Sequence, residues 1–197
     1  MHGSSRGARS PALIGTLLLW TLLWGVVATA MPRARALEPA DQPDGWIKLC
    51  GINIGCEIDP PPHPWRGKDV HNTTGRRQTV RVDLNDGQGV RFWIVVQNDG
   101  AAADTFTVQG CSGNRVFEVN RVLLGRHKRQ DPLAEDLKRR YIRGTLRFDL
   151  DAGEKVVFTL NMLSNAIEGR TYRCRTELTS ANDPDARDVV VARMTTY

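Results

Sequence analysis

From residue 79 onward apolar and polar positions alternate with a period of two, the signature of strands with one covered face. "QTVRVDL" sets Val80 and Val82 against Thr79, Arg81 and Asp83. "VRFWIVV" sets Val90, Phe92, Ile94 and Val96 against Arg91, Trp93, Val95 and Gln97. The second face is itself half apolar, which predicts a central strand partly covered on both sides. "DTFTV" turns Phe106 and Val108 inward, with Thr105 and Thr107 outward. "GTLRFDL" and "KVVFTLNM" follow, separated by Asp151-Ala152-Gly153. "TYRCRTEL" places Tyr172, Cys174, Thr176 and Leu178 opposite Arg173, Arg175 and Glu177, and "DVVVARM" comes last. Seven or eight short strands with turn residues between them predict an all-β antiparallel sandwich over residues 76–197. Asn98-Asp99-Gly100 reads as a turn of residues that tolerate positive φ, and Asp104 as a turn residue at a strand start. One short helix is predicted in "DPLAEDLKRR", with Asp131 as N-cap, Pro132 in the first turn, acids early and bases late.

The first 75 residues have neither period. Arg6 and Arg9 precede an apolar run, "LIGTLLLWTLLWGVVATA", that ends in small residues, so residues 1–36 are expected to be a secretory signal. Cleavage is expected after residue 36, in Ala34-Arg35-Ala36, with Ala28-Thr29-Ala30 as the alternative after residue 30. An uncleaved segment of this length would instead span a membrane, and no other part of the chain is expected to meet one. Residues 37–75 are rich in turn formers, and Pro60 to Pro62 and Pro64 forbid regular elements there. They are expected to form an irregular N-terminal arm lying against the sandwich.

Charge changes meaning once the signal is set aside. The formal +5 falls to +1, because residues 1–36 carry four arginines and no acid. The high pI is therefore no nucleic-acid signature, and nucleic acid is not an expected partner. All four cysteines lie beyond the signal, and an even count in an exported chain points to disulfides. Three pairings are possible. Cys50 and Cys56 enclose only "GINIG", whose glycines ease a tight loop, and pairing them leaves Cys111 with Cys174.

Tyr172-Arg173-Cys174 repeats the Tyr-x-Cys spacing of an immunoglobulin-type penultimate strand. Cys111 would then end the third strand of such a domain and Cys174 would begin its antiparallel neighbour. "VVQNDGAAADTFTV", "LDAGEKVVFTLNM", "EGRTYRC" and "TSANDPDARDVVVA" occur in order between Thr79 and Thr196. Together they resemble the immunoglobulin-like domains of bacterial exported and surface proteins, including cell-adhesion-related (CARDB-like) modules. The resemblance implies a sandwich fold and little about function, because the scaffold hosts many roles.

Candidate chemistry is sparse. "DLNDGQG" invites a calcium loop, but counting from Asp83 puts Gln88 where an EF-hand needs Gly and Ile94 where it needs Glu. It reads as a hairpin turn. His63, His71 and His127 share no metal-pair spacing, and no Ser or Cys has an evident His partner, so no catalytic residue, metal or cofactor is expected. "NTT" at Asn72 reads as a turn rather than a glycosylation site. The one concentrated surface feature is Arg121 to Arg143, with eight bases against three acids. Arg126, Lys128, Arg129, Lys138, Arg139 and Arg140 are its candidate docking surface for an anionic envelope polymer, the alternative being a solvated loop and helix. The expected protein is an exported, non-catalytic sandwich with a structural, adhesive or interaction role toward an envelope polymer or another extracellular protein. An envelope-associated enzyme or accessory subunit is the alternative.

Overall fold

The computed structural model describes residues 42–52, 64–125, 133–165 and 169–197. The expected signal, Cys56, His63, His127, Arg126, Lys128, Arg129, Asp131 and Pro132 lie outside these residues. The described chain forms a two-layered immunoglobulin-like β-sandwich. Its elements are β1 (Pro43–Ile52), β2 (Thr79–Leu84), β3 (Gly89–Asn98), β4 (Asp104–Gln109), β5 (Phe117–Leu124), α1 (Ala134–Arg143), β6 (Leu146–Leu150), β7 (Lys155–Ser164), β8 (Thr171–Ser180) and β9 (Arg187–Thr196). One sheet runs β1-β3-β7-β5 and the other β2-β9-β8-β4-β6. Pairing is antiparallel except where β2 lies parallel to β9.

The alternation seen along the chain decides which face is buried. Val80, Val82, Phe92, Ile94, Phe106, Val108, Phe158, Leu160, Leu178 and Met194 point between the sheets and form one continuous core. On β3 the second face is covered too, with Trp93 and Val95 buried, as expected for a central strand. β3 pairs with β1 on one side and β7 on the other.

Two strands go beyond the expectation. The arm is not irregular throughout: β1 forms the edge of the first sheet and sends Ile47 and Leu49 into the core. Gly45 permits this, because a Cβ there would press on Leu178, Asp188 and Val190 of the facing sheet. β5, which no alternation announced, runs into the basic Arg121–Arg143 stretch and pairs with β7. The turn after β2 is likewise no hairpin. It carries the chain from one sheet to the other, with Gly87 at φ 67° and its N–H bonded to the Ser164 carbonyl.

α1 begins three residues after Asp131, with Leu133 at the cap position and no side-chain cap bond. Its charges follow the dipole: Glu135 and Asp136 lie in the first turn, Arg140 and Arg143 in the last. The helix links β5 of one sheet to β6 of the other, and Tyr141 is its buried anchor. The ring packs on Phe158, with centroids 5.9 Å apart, and its hydroxyl lies 2.6 Å from Thr176 Oγ1. Cys111 and Cys174 are disulfide-bonded, joining the end of β4 to β8 within one sheet. The Tyr172 hydroxyl accepts a bond from the Gly113 N–H at 3.1 Å, which holds the chain leaving Cys111. Cys50 is also disulfide-bonded.

Candidate functional site

The residues singled out in the sequence divide between scaffold and surface. Asp104 is scaffold: it accepts the Ser180 hydroxyl at 2.5 Å and the Asn182 N–H at 3.3 Å, fixing the β8–β9 loop. Asn98, Asp99 and Gly100 turn without positive φ. The buried Asn98 amide replaces that device, donating to the Ala102 and Leu150 carbonyls while its oxygen accepts the Gly100 N–H. Asn72 likewise serves a turn, its oxygen accepting from Thr74 and Arg76 backbone N–H groups. Of the basic candidates, Lys138, Arg139 and Arg140 stand together on α1. Lys138 lies 3.7 Å from Glu118 and Arg139 lies 3.3 Å from Asp136, while Arg140 Nε bonds the Thr145 carbonyl.

Among the described residues a further assembly of functional groups lies on the outer face of the first sheet and at one of its ends. β1–β3 register places Trp46 beside Val95 and Lys48 beside Trp93. The chain then returns, and Arg66 forms a two-bond bridge with Ile47, each bond 2.8 Å. That bridge presents Trp65, which meets Trp46 edge-on at 6.1 Å and stacks on Trp93 at 6.4 Å. Lys48 Nζ sits 5.6 Å from the Trp65 ring, and Lys68 and Lys155 flank Trp46 at 5.3 and 5.5 Å. All three tryptophans beyond residue 36 thus share one cluster.

At the end of this face Asp44, His71 and Asp99 converge. The register Asp44↔Gln97 brings the start of β1 to the end of β3, and the Asp99 N–H bonds the Gln42 carbonyl at 3.0 Å. The Asp44 carboxylate is fully buried. Its Oδ2 accepts from the Trp46 indole and from the Asp69 N–H, whereas Oδ1 has no partner. Burial pushes the Asp44 carboxyl up to about 6; its two donors oppose this, the charge of Asp99 adds to it, and His71 opposes it. His71 Nδ1 lies 3.2 Å from the Pro43 carbonyl, and its Nε2 lies 3.9 Å from Asp99 Oδ2.

Just beneath, Asp188 ties the arm to the sandwich. It accepts backbone N–H bonds from Gly45 at 2.6 Å, Asn72 at 3.0 Å and its neighbour Val189, and side-chain bonds from the buried Gln78 at 2.7 Å. Burial still raises its carboxyl above the ordinary range. His71 also lines an open groove of about 430 Å³ with Gln42, Asn72, Asp183, Asp185 and Arg187. A second open groove of about 300 Å³ gathers Asp104, Asp149, Asp151 and Glu154.

No known protein family matches the chain, and no curated protein does. Among solved structures it is similar to the N-terminal domain of PorA (12% identity, 76% of this chain and 96% of that one, TM-score 0.37). It is also similar to a family 123 glycoside hydrolase from Clostridium perfringens (10% identity, 61% of this chain, TM-score 0.39). A third is the secreted serine protease VesC from Vibrio cholerae (10% identity, 61% of this chain, TM-score 0.38). The chain spans 23% and 22% of the lengths of the hydrolase and the protease. Likeness of this degree carries no information on activity.

Proposed function

We propose that the protein is an exported, non-catalytic interaction domain acting at the cell envelope or outside the cell. Its role is adhesive or structural. The observation that carries this reading is how the buried polar groups are used. Asp104, Asp188, Tyr141 and Asn98 each hold strands or loops in place. The grooves beside His71 and Asp104 are open rather than enclosed. Among the described residues, what remains accessible includes sheet edge, groove and the basic second half of α1, which suits binding of an extended partner better than transformation of a small one.

The favoured partner is an anionic envelope polymer meeting Lys138, Arg139 and Arg140 together with Arg126, Lys128 and Arg129. Paired as they are with Glu118 and Asp136, Lys138 and Arg139 would exchange one acidic partner for another, so binding should be salt-sensitive. Retention of the purified protein on isolated envelopes tests this. Charge reversal at Lys128, Arg129, Arg139 and Arg140 is expected to abolish retention at low salt. Unchanged retention refutes the surface, and turnover of a substrate by a protein that retains nothing refutes the domain's non-catalytic role.

A further inference from the structure

We propose that Asp44, His71 and Asp99 form a binding site for a divalent transition cation of the zinc class, which clamps the N-terminal arm to the end of β3. Each residue offers one donor atom, and the three donors all lie within 4.8 Å of one another. Ligand bonds of about 2.0–2.2 Å require donors no more than about 4.4 Å apart, so the three side chains would close slightly on an ion placed between them.

The second contacts of each residue are those of a metal ligand. A carbonyl can only accept, so the bond at Pro43 places the His71 proton on Nδ1 and turns the Nε2 lone pair toward Asp99. Gln97 Nε2 holds Asp99 Oδ1 at 2.5 Å, leaving Oδ2 toward the imidazole. At Asp44 both hydrogen bonds fall on Oδ2, and the buried Oδ1 keeps its full acceptor capacity with nothing to satisfy it. A fully buried carboxylate oxygen without a partner is costly, and a cation is the partner that also balances Asp99.

The donor set chooses the ion. Calcium takes six to eight oxygens, and this site holds two carboxylates and an imidazole. Imidazole with carboxylate suits zinc and its neighbours. Three protein ligands leave a fourth position, and His71 borders the 430 Å³ groove through which water or a partner's donor group would reach it. Neither spacing nor motif announces the site, since its ligands come from β1, a loop and the β3 terminus.

Titration of the chelator-treated full chain with Zn²⁺, followed by calorimetry and by the visible spectrum of the Co²⁺ form, tests the assignment. One ion should bind per chain and raise the midpoint of thermal unfolding. His71→Ala, in a surface loop, should weaken binding by at least about 100-fold, more than loss of a supporting residue costs. Asp44→Asn, which keeps an acceptor for Trp46 and Asp69, should do the same, and Asp183→Asn, in the groove but not among the ligands, should leave binding intact. Absence of Zn²⁺ binding, Zn²⁺ binding undiminished in His71→Ala, or saturation by Ca²⁺ in preference to Zn²⁺ would each overturn the proposal.

Discussion

Gly110 and Tyr141 give the sharpest test of how α1 is held. A methyl group on Gly110 would fall inside the Tyr141 ring, at Cζ and both Cε atoms. The Gly110 backbone does not occupy the left-handed region, so alanine brings no strain of its own. The ring has nowhere to slide. Its hydroxyl is fixed by Thr176 at 2.6 Å, and its own carbonyl accepts the Gly110 N–H at 2.9 Å. Gly110→Ala must therefore expel the ring or lift the helix, at a cost of about 3 kcal/mol, the upper part of the overpacking range. Tyr141→Ala should cost about 4 kcal/mol, as for other fully buried aromatics. The double variant should cost about 4 kcal/mol rather than about 7, because without the ring the methyl meets nothing. Urea unfolding followed by tryptophan fluorescence measures all four proteins, provided their m-values agree. If the two single losses add to within about 0.5 kcal/mol, the ring is not seated against Gly110 and this account of the helix fails.

Cys111→Ala with Cys174→Ala removes a cross-link closing 63 positions and should cost about 4 kcal/mol by chain entropy. A urea midpoint close to that of the unaltered protein would contradict it. Burial holds the Tyr141 phenol un-ionised above the ordinary range, against the opposing hydrogen bond from Thr176. Its folded value is raised, so its contribution is fully present below about pH 10 and is lost as pH rises further, when the unfolded tyrosine ionises first. Tyr141→Phe should therefore lose less stability than the parent between about pH 9 and 11, and parallel slopes in urea titrations would refute the assignment.

Seven of the nine described strands were legible in the alternation, and the two that escaped share a physical cause. β1 shifts register between Leu49 and Gly51, and β5 between Val119 and Arg121. Each shift adds a residue on one side and breaks the period of two on which strand recognition depends. β1 was further disguised by Pro43, Asp44 and Gly45, residues that signal a turn but here open a strand. The candidate site inherited that obscurity. Asp44 meets Asp99 only through β1–β3 pairing, and His71 joins them only after the return bridge at Arg66. One trace did exist in the sequence, since Trp46, Trp65 and Trp93 are the only tryptophans past residue 36 and they mark the same face. The Cys111–Cys174 disulfide was readable because the tight Cys50–Cys56 loop left these two cysteines to each other, and the immunoglobulin-type spacing at Tyr172 set their strands side by side.

Between Cys111 and Cys174 run β5, α1, β6 and β7, so the bond closes this whole stretch into a covalent ring. A ring can be cut once without coming apart. The Arg126-His127-Lys128-Arg129 sequence, a basic run and a natural target for trypsin-like proteases, lies within it. Cleavage there would yield a two-chain protein whose halves remain joined through sulfur and interleaved through both sheets. Only reduction would release them. In the exported role proposed above, hydrolysis within that run would be a processing event rather than a destruction.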